Sequence, residues 1–199
     1  MDEPTHIDQE KRAISRWVKG DQDAARILFD IHRGPTYRLA YSLLDHPEDA
    51  EDVAQEALTD ALLRPEMYDP SRGKFRTWLH AIVINRCRQH HRKNKRKKFS
   101  ILSWFDRAAR DLPAEQDTPE ESSARAQAAR HVRRSIRALS PPLREAIVLR
   151  MWGGYSYKEI GQLVGCPERT AQSRVRLAMR ELGESLPGAL APSNEETRR

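Results

Sequence analysis

The sequence predicts an all-α protein: two small helical domains joined by an extended acidic linker. Three observations predict this. Apolar residues recur at helical spacing along most of the 199 residues, with no convincing period-two strand and no glycine-rich phosphate loop. Between residues 99 and 123 the character changes: Asp111, Glu115, Asp117, Glu120 and Glu121 appear with no basic residue among them, and Pro113 and Pro119 interrupt helix. Near the C-terminus, residues 156–175 carry the punctuation of two crossing helices. The expected divisions are an N-terminal tail over 1–10, a first domain over 11–98, the linker over 99–123, a second domain over 124–187 and a C-terminal tail over 188–199.

In order, helices are expected over 8–19, 21–32, 36–44, 47–63, 75–97, 124–139, 143–152, 156–164 and 168–186, with Gly20, Gly34-Pro35, Asp45 and Gly153-Gly154 as breaks. The helix over 47–63 has an apolar stripe of Ala50, Val53, Ala54, Ala57, Leu58, Ala61 and Leu62. Its other face carries Glu48, Glu51, Asp52, Gln55, Glu56 and Asp60, with no lysine or arginine on the helix to neutralise them. Asp45 is placed to cap the start, and acids in the first turn suit the helix dipole. The dipole does not account for Glu56 or Asp60, further along. A solvated acidic face is one reading and a docking surface for a basic partner is the other.

The next helix inverts the charge. Its first part is apolar and aromatic (Phe75, Trp78, Leu79, Ile82, Val83, Ile84). From Arg86 to Lys98 it carries eight Lys/Arg, with His90 and His91 and no acid. One helix thus begins in a core and ends as a cationic rod suited to a phosphate backbone. Cys87, His90 and His91 have metal-ligand spacing, but so much positive charge repels a cation, and no metal or other cofactor is expected. The preceding loop, Arg64-Pro65-Glu66-Met67-Tyr68-Asp69-Pro70-Ser71-Arg72-Gly73-Lys74, mixes aromatic, polar and basic groups that could hold an unstacked base.

In the C-terminal segment, Ser156 and Glu159 form a capping box. Gly165 can take the left-handed conformation that ends the helix, and Pro167 is expected in the first turn of the next. Gly161 lies on the face where that next helix must cross closely. Ile160, Leu163, Val164, Ala171 and Val175 supply the inner faces, while Arg169, Thr170, Gln172, Ser173, Arg176 and Arg180 form an exposed donor-rich face. Such a helix is what major-groove reading requires; a helical hairpin with a solvated basic face is the alternative.

Composition narrows the classes. The net charge of +6 and pI near 9.5 favour an anionic partner. Two distant cysteines, Cys87 and Cys166, give neither a disulfide framework nor zinc spacing, which fits a reducing cytoplasmic compartment. No apolar run reaches the roughly 18 residues of a membrane span, and Met1 to Glu10 is too polar for a signal peptide, so no membrane insertion is expected.

Taken together, these residues resemble the bacterial extracytoplasmic-function sigma factors, from about Asp21 to Leu186. The first block is Asp49-Ala50-Glu51-Asp52-Val53-Ala54-Gln55-Glu56, then Phe75-Arg76-Thr77-Trp78-Leu79, Asn85 and the basic tail. It is similar to region two of the family. The second, Leu139 through Leu182, resembles region four, with Glu159-Ile160, Gly165, Thr170 and Ser173-Arg174 at the motif positions. The resemblance implies a dissociable transcription-initiation subunit. Asp49, Asp52, Gln55 and Glu56 would bind the clamp helices of the largest subunit of core RNA polymerase. Met67, Tyr68, Asp69, Ser71, Arg72 and Lys74 would capture a flipped non-template base beside Asn85, Arg86, Arg88 and Arg92 over the minus-ten promoter element. Arg169, Thr170, Gln172, Ser173, Arg174, Arg176 and Arg180 would meet the minus-thirty-five element. The linker would run through the polymerase cleft, and an anti-sigma factor is a further partner. The chain departs from the usual family residues at Gly161 (Ala), Pro167 (Ser), Arg169 (Gly), Ala171 (Val) and Gln172 (Lys).

Other classes fit less well. A response-regulator-type activator needs a receiver domain in front, and a sigma mimic need not retain basic DNA faces. An enzyme needs a nucleophile–base pair or a cofactor loop, and none is seen.

Overall fold

The computed structural model describes residues 6–102 and 124–185, with side chains described over 8–93 and 130–185. The chain divides into two compact units, Met1–Ala108 and Ala109–Arg199. Most of the expected linker, residues 103–123, lies outside the described residues, as does the C-terminal tail. Among the described residues there are eight α-helices, two short 3-10 turns and no strand. None of these helices is long and apolar enough to cross a membrane.

The first unit contains α1 (His6–Trp17), α2 (Gln22–Leu44), α3 (Pro47–Leu62), the 3-10 turns Pro65–Met67 and Pro70–Arg72, and α4 (Phe75–Leu102). Helix α2 is the centre, packed against α1, α3 and α4. Small residues allow close approach: Ala24, Ala40, Ala50 and Ala57 are fully buried. Between them sit Leu28, Leu58, Phe75 and Leu79, each contributing about 1.5–3 kcal/mol by burial. Asp21 starts α2 by accepting the Ala24 N–H at 3.1 Å, which lowers its carboxyl below the usual range, helped by the Arg16 guanidinium.

Sequence reasoning needs correction here in three places. Gly34-Pro35 does not break α2, which runs continuously through Pro35. One absent N–H costs less than uncovering Leu28, His32, Thr36 and Leu39, which lie on either side of it and are buried. Asp45 does not cap α3. It ends α2 in the left-handed conformation (φ 55°, ψ 30°), its N–H bonded to the Tyr41 carbonyl at 2.8 Å. His46 occupies the N-cap position before Pro47, without a side-chain cap bond. Helix α1 begins at His6, two residues before the expected start, and α4 reaches Leu102, so the first four residues of the expected linker are helical.

The second unit contains α5 (Ala124–Ala138), α6 (Pro141–Met151), α7 (Tyr157–Val164) and α8 (Glu168–Ser185). Helices α6 and α7 both pack on α8. Ile147, Leu149, Ile160, Ala171, Val175, Ala178 and Leu182 are buried between them. Arg144 reaches back from α6 to the carbonyls of Arg137 and Leu139, satisfying acceptors at the end of α5.

Candidate nucleic-acid interface

The helix-turn-helix is built from local signals that agree. Ser156 Oγ accepts the Glu159 N–H at 3.3 Å, and the Glu159 carboxylate accepts the Ser156 N–H at 2.8 Å, so the capping box forms in both directions. Gly165 takes φ 72° and ψ 46°, where a side chain would be strained. Gly161 meets the turn: a Cβ there would lie 2.6 Å from the Cys166 carbonyl oxygen. Pro167 differs from expectation. Its carbonyl accepts the N–H groups of Thr170 at 2.9 Å and Ala171 at 3.1 Å, so it is the N-cap of α8 and the helix begins at Glu168. The absent proline N–H is equally harmless there.

Burial of Ala171, Val175, Ala178 and Leu182 fixes the rotation of α8. Arg169, Gln172, Ser173, Arg176 and Arg180 are exposed as a result, with Thr170 and Arg174 half-buried at the edges. Ser173, expected as a donor, instead gives its hydroxyl proton to the Arg169 carbonyl at 2.9 Å and keeps only acceptor capacity outward.

In the first unit, Asp52, Gln55 and Glu56 are exposed on α3 and Asp49 is half-buried. Beside them a cleft of about 450 Å³ runs between α2 and α3, lined by Phe29, Arg33, Tyr37, Glu51, Ala54 and Gln55 among others. The acids are not all unpaired, because the cations come from α4. Arg86 Nη1 donates to Glu56 Oε2 at 3.1 Å and Nη2 pairs with Asp60. His90 Nε2 lies 3.2 Å from Asp49 Oδ1. These cross-helix pairs were missed by reading each helix alone; the four-residue spacings of Arg86 with His90 and of Glu56 with Asp60 were the available signal.

Tyr68 is a further revision. It is 8% exposed and belongs to an aromatic cluster with Trp17, Phe75 and Trp78, ring centroids 5.3–6.0 Å from its own. Its hydroxyl donates to the Gly73 carbonyl at 3.1 Å. Burial pushes the phenol above its ordinary pKa, so it remains a donor. Tyr68 thus anchors the loop from beneath and presents no face for an incoming base. Trp17, also unforeseen, ties α1 to the loop's entrance by donating its indole N–H to the Leu62 carbonyl at 2.9 Å.

Above this anchor Met67, Asp69, Ser71, Arg72 and Lys74 are exposed. The Asp69 carboxylate accepts both the Ser71 N–H at 2.9 Å and the Ser71 hydroxyl at 2.7 Å, which hold it below the usual carboxylate range. On α4 Asn85 and Arg92 are exposed and Arg88 half-buried, while Cys87 points inward and is buried. The side chains of Lys95, Arg96, Lys97 and Lys98 lie outside the described residues.

Comparison with known proteins assigns both units. The sigma-70 region 2 family matches residues 28–97, from α2 into the basic part of α4. The sigma-70 region 4 family matches residues 130–182, from within α5 to the last turn of α8. The chain belongs to the sigma-70 factors, as an extracytoplasmic-function sigma factor. It is 29% identical to the ECF RNA polymerase sigma factor SigW of Bacillus subtilis over 88% of this chain and 96% of that protein. It is 32% identical to SigE of Mycolicibacterium smegmatis over 78% of this chain and 58% of that protein. The RNA polymerase sigma-H factor of Pseudomonas aeruginosa is 27% identical over 90% and 94%. Two solved structures share the fold at 24% identity. RpoE of Bartonella quintana, in complex with the anti-sigma factor NepR, has a TM-score of 0.66 over 83% of this chain and 98% of that one. CnrH, in complex with the cytosolic domain of CnrY, has 0.63 over 89% and 96%. As a sigma factor the chain acts with core RNA polymerase on promoter DNA in transcription initiation.

Proposed function

We propose that this sigma factor divides its work among three surfaces and catalyses nothing itself. The exposed Asp52, Gln55 and Glu56 of α3, with Asp49 beside them, dock on the clamp helices of the largest polymerase subunit. The outer residues of the loop, with Asn85, Arg88 and Arg92 of α4, take the minus-ten element and its flipped base. Helix α8 reads the minus-thirty-five element. The protein works in the cytoplasm, where polymerase and DNA are. RpoE of Bartonella quintana is found with the anti-sigma factor NepR, and the proposal extends to an anti-sigma partner for this chain.

The observation that carries this reading is the two-sidedness of α3. Ala50, Val53, Ala54, Ala57, Leu58 and Ala61 are buried against the unit, so the motif acids are turned outward by packing rather than by chance. Charge reversal at a desolvated contact costs several kcal/mol. Asp52→Lys with Glu56→Lys should therefore weaken binding to core polymerase about 100-fold or more in a competition assay, with helix content unchanged. Run-off transcription from a promoter library should fall with it. Undiminished affinity in the folded double variant would place the docking surface elsewhere.

A further inference from the structure

Arg86 stands on two surfaces at once. Its neighbour Asn85 faces outward on α4, but the Arg86 guanidinium turns back to α3, donating to Glu56 at 3.1 Å and pairing with Asp60. One turn along, His90 is held by Asp49 in the same manner. The Glu56 side chain is 62% exposed and that of Arg86 only 32%. An incoming protein can therefore reach the carboxylate directly, whereas an incoming phosphate finds the guanidinium already engaged. The expected phosphate contact is thus masked by the acids of the docking helix.

We propose that Glu56 and Asp60 hold Arg86 away from DNA in the free protein, and that polymerase docking on Glu56 releases it. The proposal rests on the reading of α3 as polymerase-facing and α4 as DNA-facing. A guanidinium shared between two carboxylates has no unbalanced charge to offer, and a phosphate approaching it also meets two like charges. A partner's lysine or arginine drawn to Glu56 removes one of the two holds and leaves Arg86 with Asp60 alone. DNA then has one half-buried pair to displace where the free protein presents two. By linkage, polymerase binding favours DNA binding and DNA binding favours polymerase by the same factor. The device keeps the free subunit from settling on nucleic acid without its polymerase.

A double-mutant cycle on the full chain tests it, read by fluorescence anisotropy with a fluorescein-labelled single-stranded oligonucleotide of mixed sequence. Glu56→Gln with Asp60→Asn should tighten DNA binding about five-fold when Arg86 is present. In an Arg86→Ala background the same pair should tighten it no more than about two-fold, the residue left by removing negative charge. Equal gains in both backgrounds would overturn the masking. Asp60→Asn alone, which leaves the exposed docking acids in place, should show a smaller gain of the same sign and the same dependence on Arg86. With saturating core polymerase, Arg86→Ala should cost more DNA affinity than it does in the free chain; equal cost would overturn the release. Failure of the wild-type chain to bind polymerase would overturn the docking reading itself, whereas equal gains in a chain that binds polymerase normally overturn this proposal alone.

Discussion

A methyl group added at Gly161 would sit 2.6 Å from a backbone oxygen and 3.3 Å from the Glu168 nitrogen, both in the turn between α7 and α8. Neither can swing away as a side-chain tip could. Replacing glycine inside a helix usually gains up to about 1 kcal/mol, but forcing this turn open costs about 1–3 kcal/mol. Gly161→Ala should therefore lower the stability of the second unit, read by urea unfolding. His80 gives a pH dependence at the same scale. It is 3% exposed, and burial, with Arg76 and His32 nearby, pushes its pKa down to about 3. In the unfolded chain the ring takes a proton near its ordinary value of 6.5. Between those values the unfolded form binds more protons, so stability falls as pH drops from 6.5 toward 3. From pH 6.5 to 5 the loss should be about 1–2 kcal/mol by urea titration, and His80→Gln should flatten that slope. Residues whose roles are local were legible in the sequence: the Ser156–Glu159 box and Gly165 need only their neighbours. Tyr68 was not, because nothing within its own loop reveals that Trp17 and Trp78 close over it.

At the scale of the element, α2 shows where local signals lose. Gly34-Pro35 reads as a break because proline removes one donor and crowds the preceding turn. The helix continues because α1, α3 and α4 all bury side chains on it, a sum that no window of sequence contains. Pro35→Ala should restore that hydrogen bond and raise the unfolding free energy of the first unit by about 1–3 kcal/mol, seen as a higher urea midpoint. The inner face of helix α8 was legible: Ala171 and Val175 are buried as expected, and Ala178 and Leu182 continue the same spacing. Its outward side chains divide by reach. We propose that Arg176 meets a guanine edge and Gln172 an adenine, with Arg174 and Arg180 on backbone phosphates. Arg176→Ala should cost about 1–3 kcal/mol and relax preference at one base pair in a binding selection, whereas Arg180→Ala should weaken all sequences alike. An unchanged minus-thirty-five preference in Arg176→Ala would mean that the element is read mainly by shape. The pairing of α3 with α4 was illegible for the opposite reason: each helix's charge pattern is plain, but only their packing brings Arg86 to Glu56.

Over the whole molecule, composition indicated an anionic partner and the break after the basic run indicated two units, because charge and proline placement survive without tertiary detail. What composition concealed is that Arg86 is already paired inside the first unit, with Glu56 and Asp60. Binding of polymerase–sigma complexes to promoter DNA should still fall about 10³-fold between roughly 50 and 200 mM salt as several phosphates regain counterions, measurable by filter binding. The aromatic floor beneath the loop has an optical consequence. Phe75 meets both Trp17 and Tyr68 edge-on at 82° and 80°, and Trp78 lies within 5.5 Å of Phe75, so the indoles sit in a fixed, asymmetric electronic environment. Such coupled rings give near-ultraviolet circular dichroism and tryptophan emission that depend on the loop staying seated. A base drawn into the loop, or a Tyr68→Phe exchange that cuts the tether to Gly73, becomes visible as a change in colour-free light from a chain that carries no label.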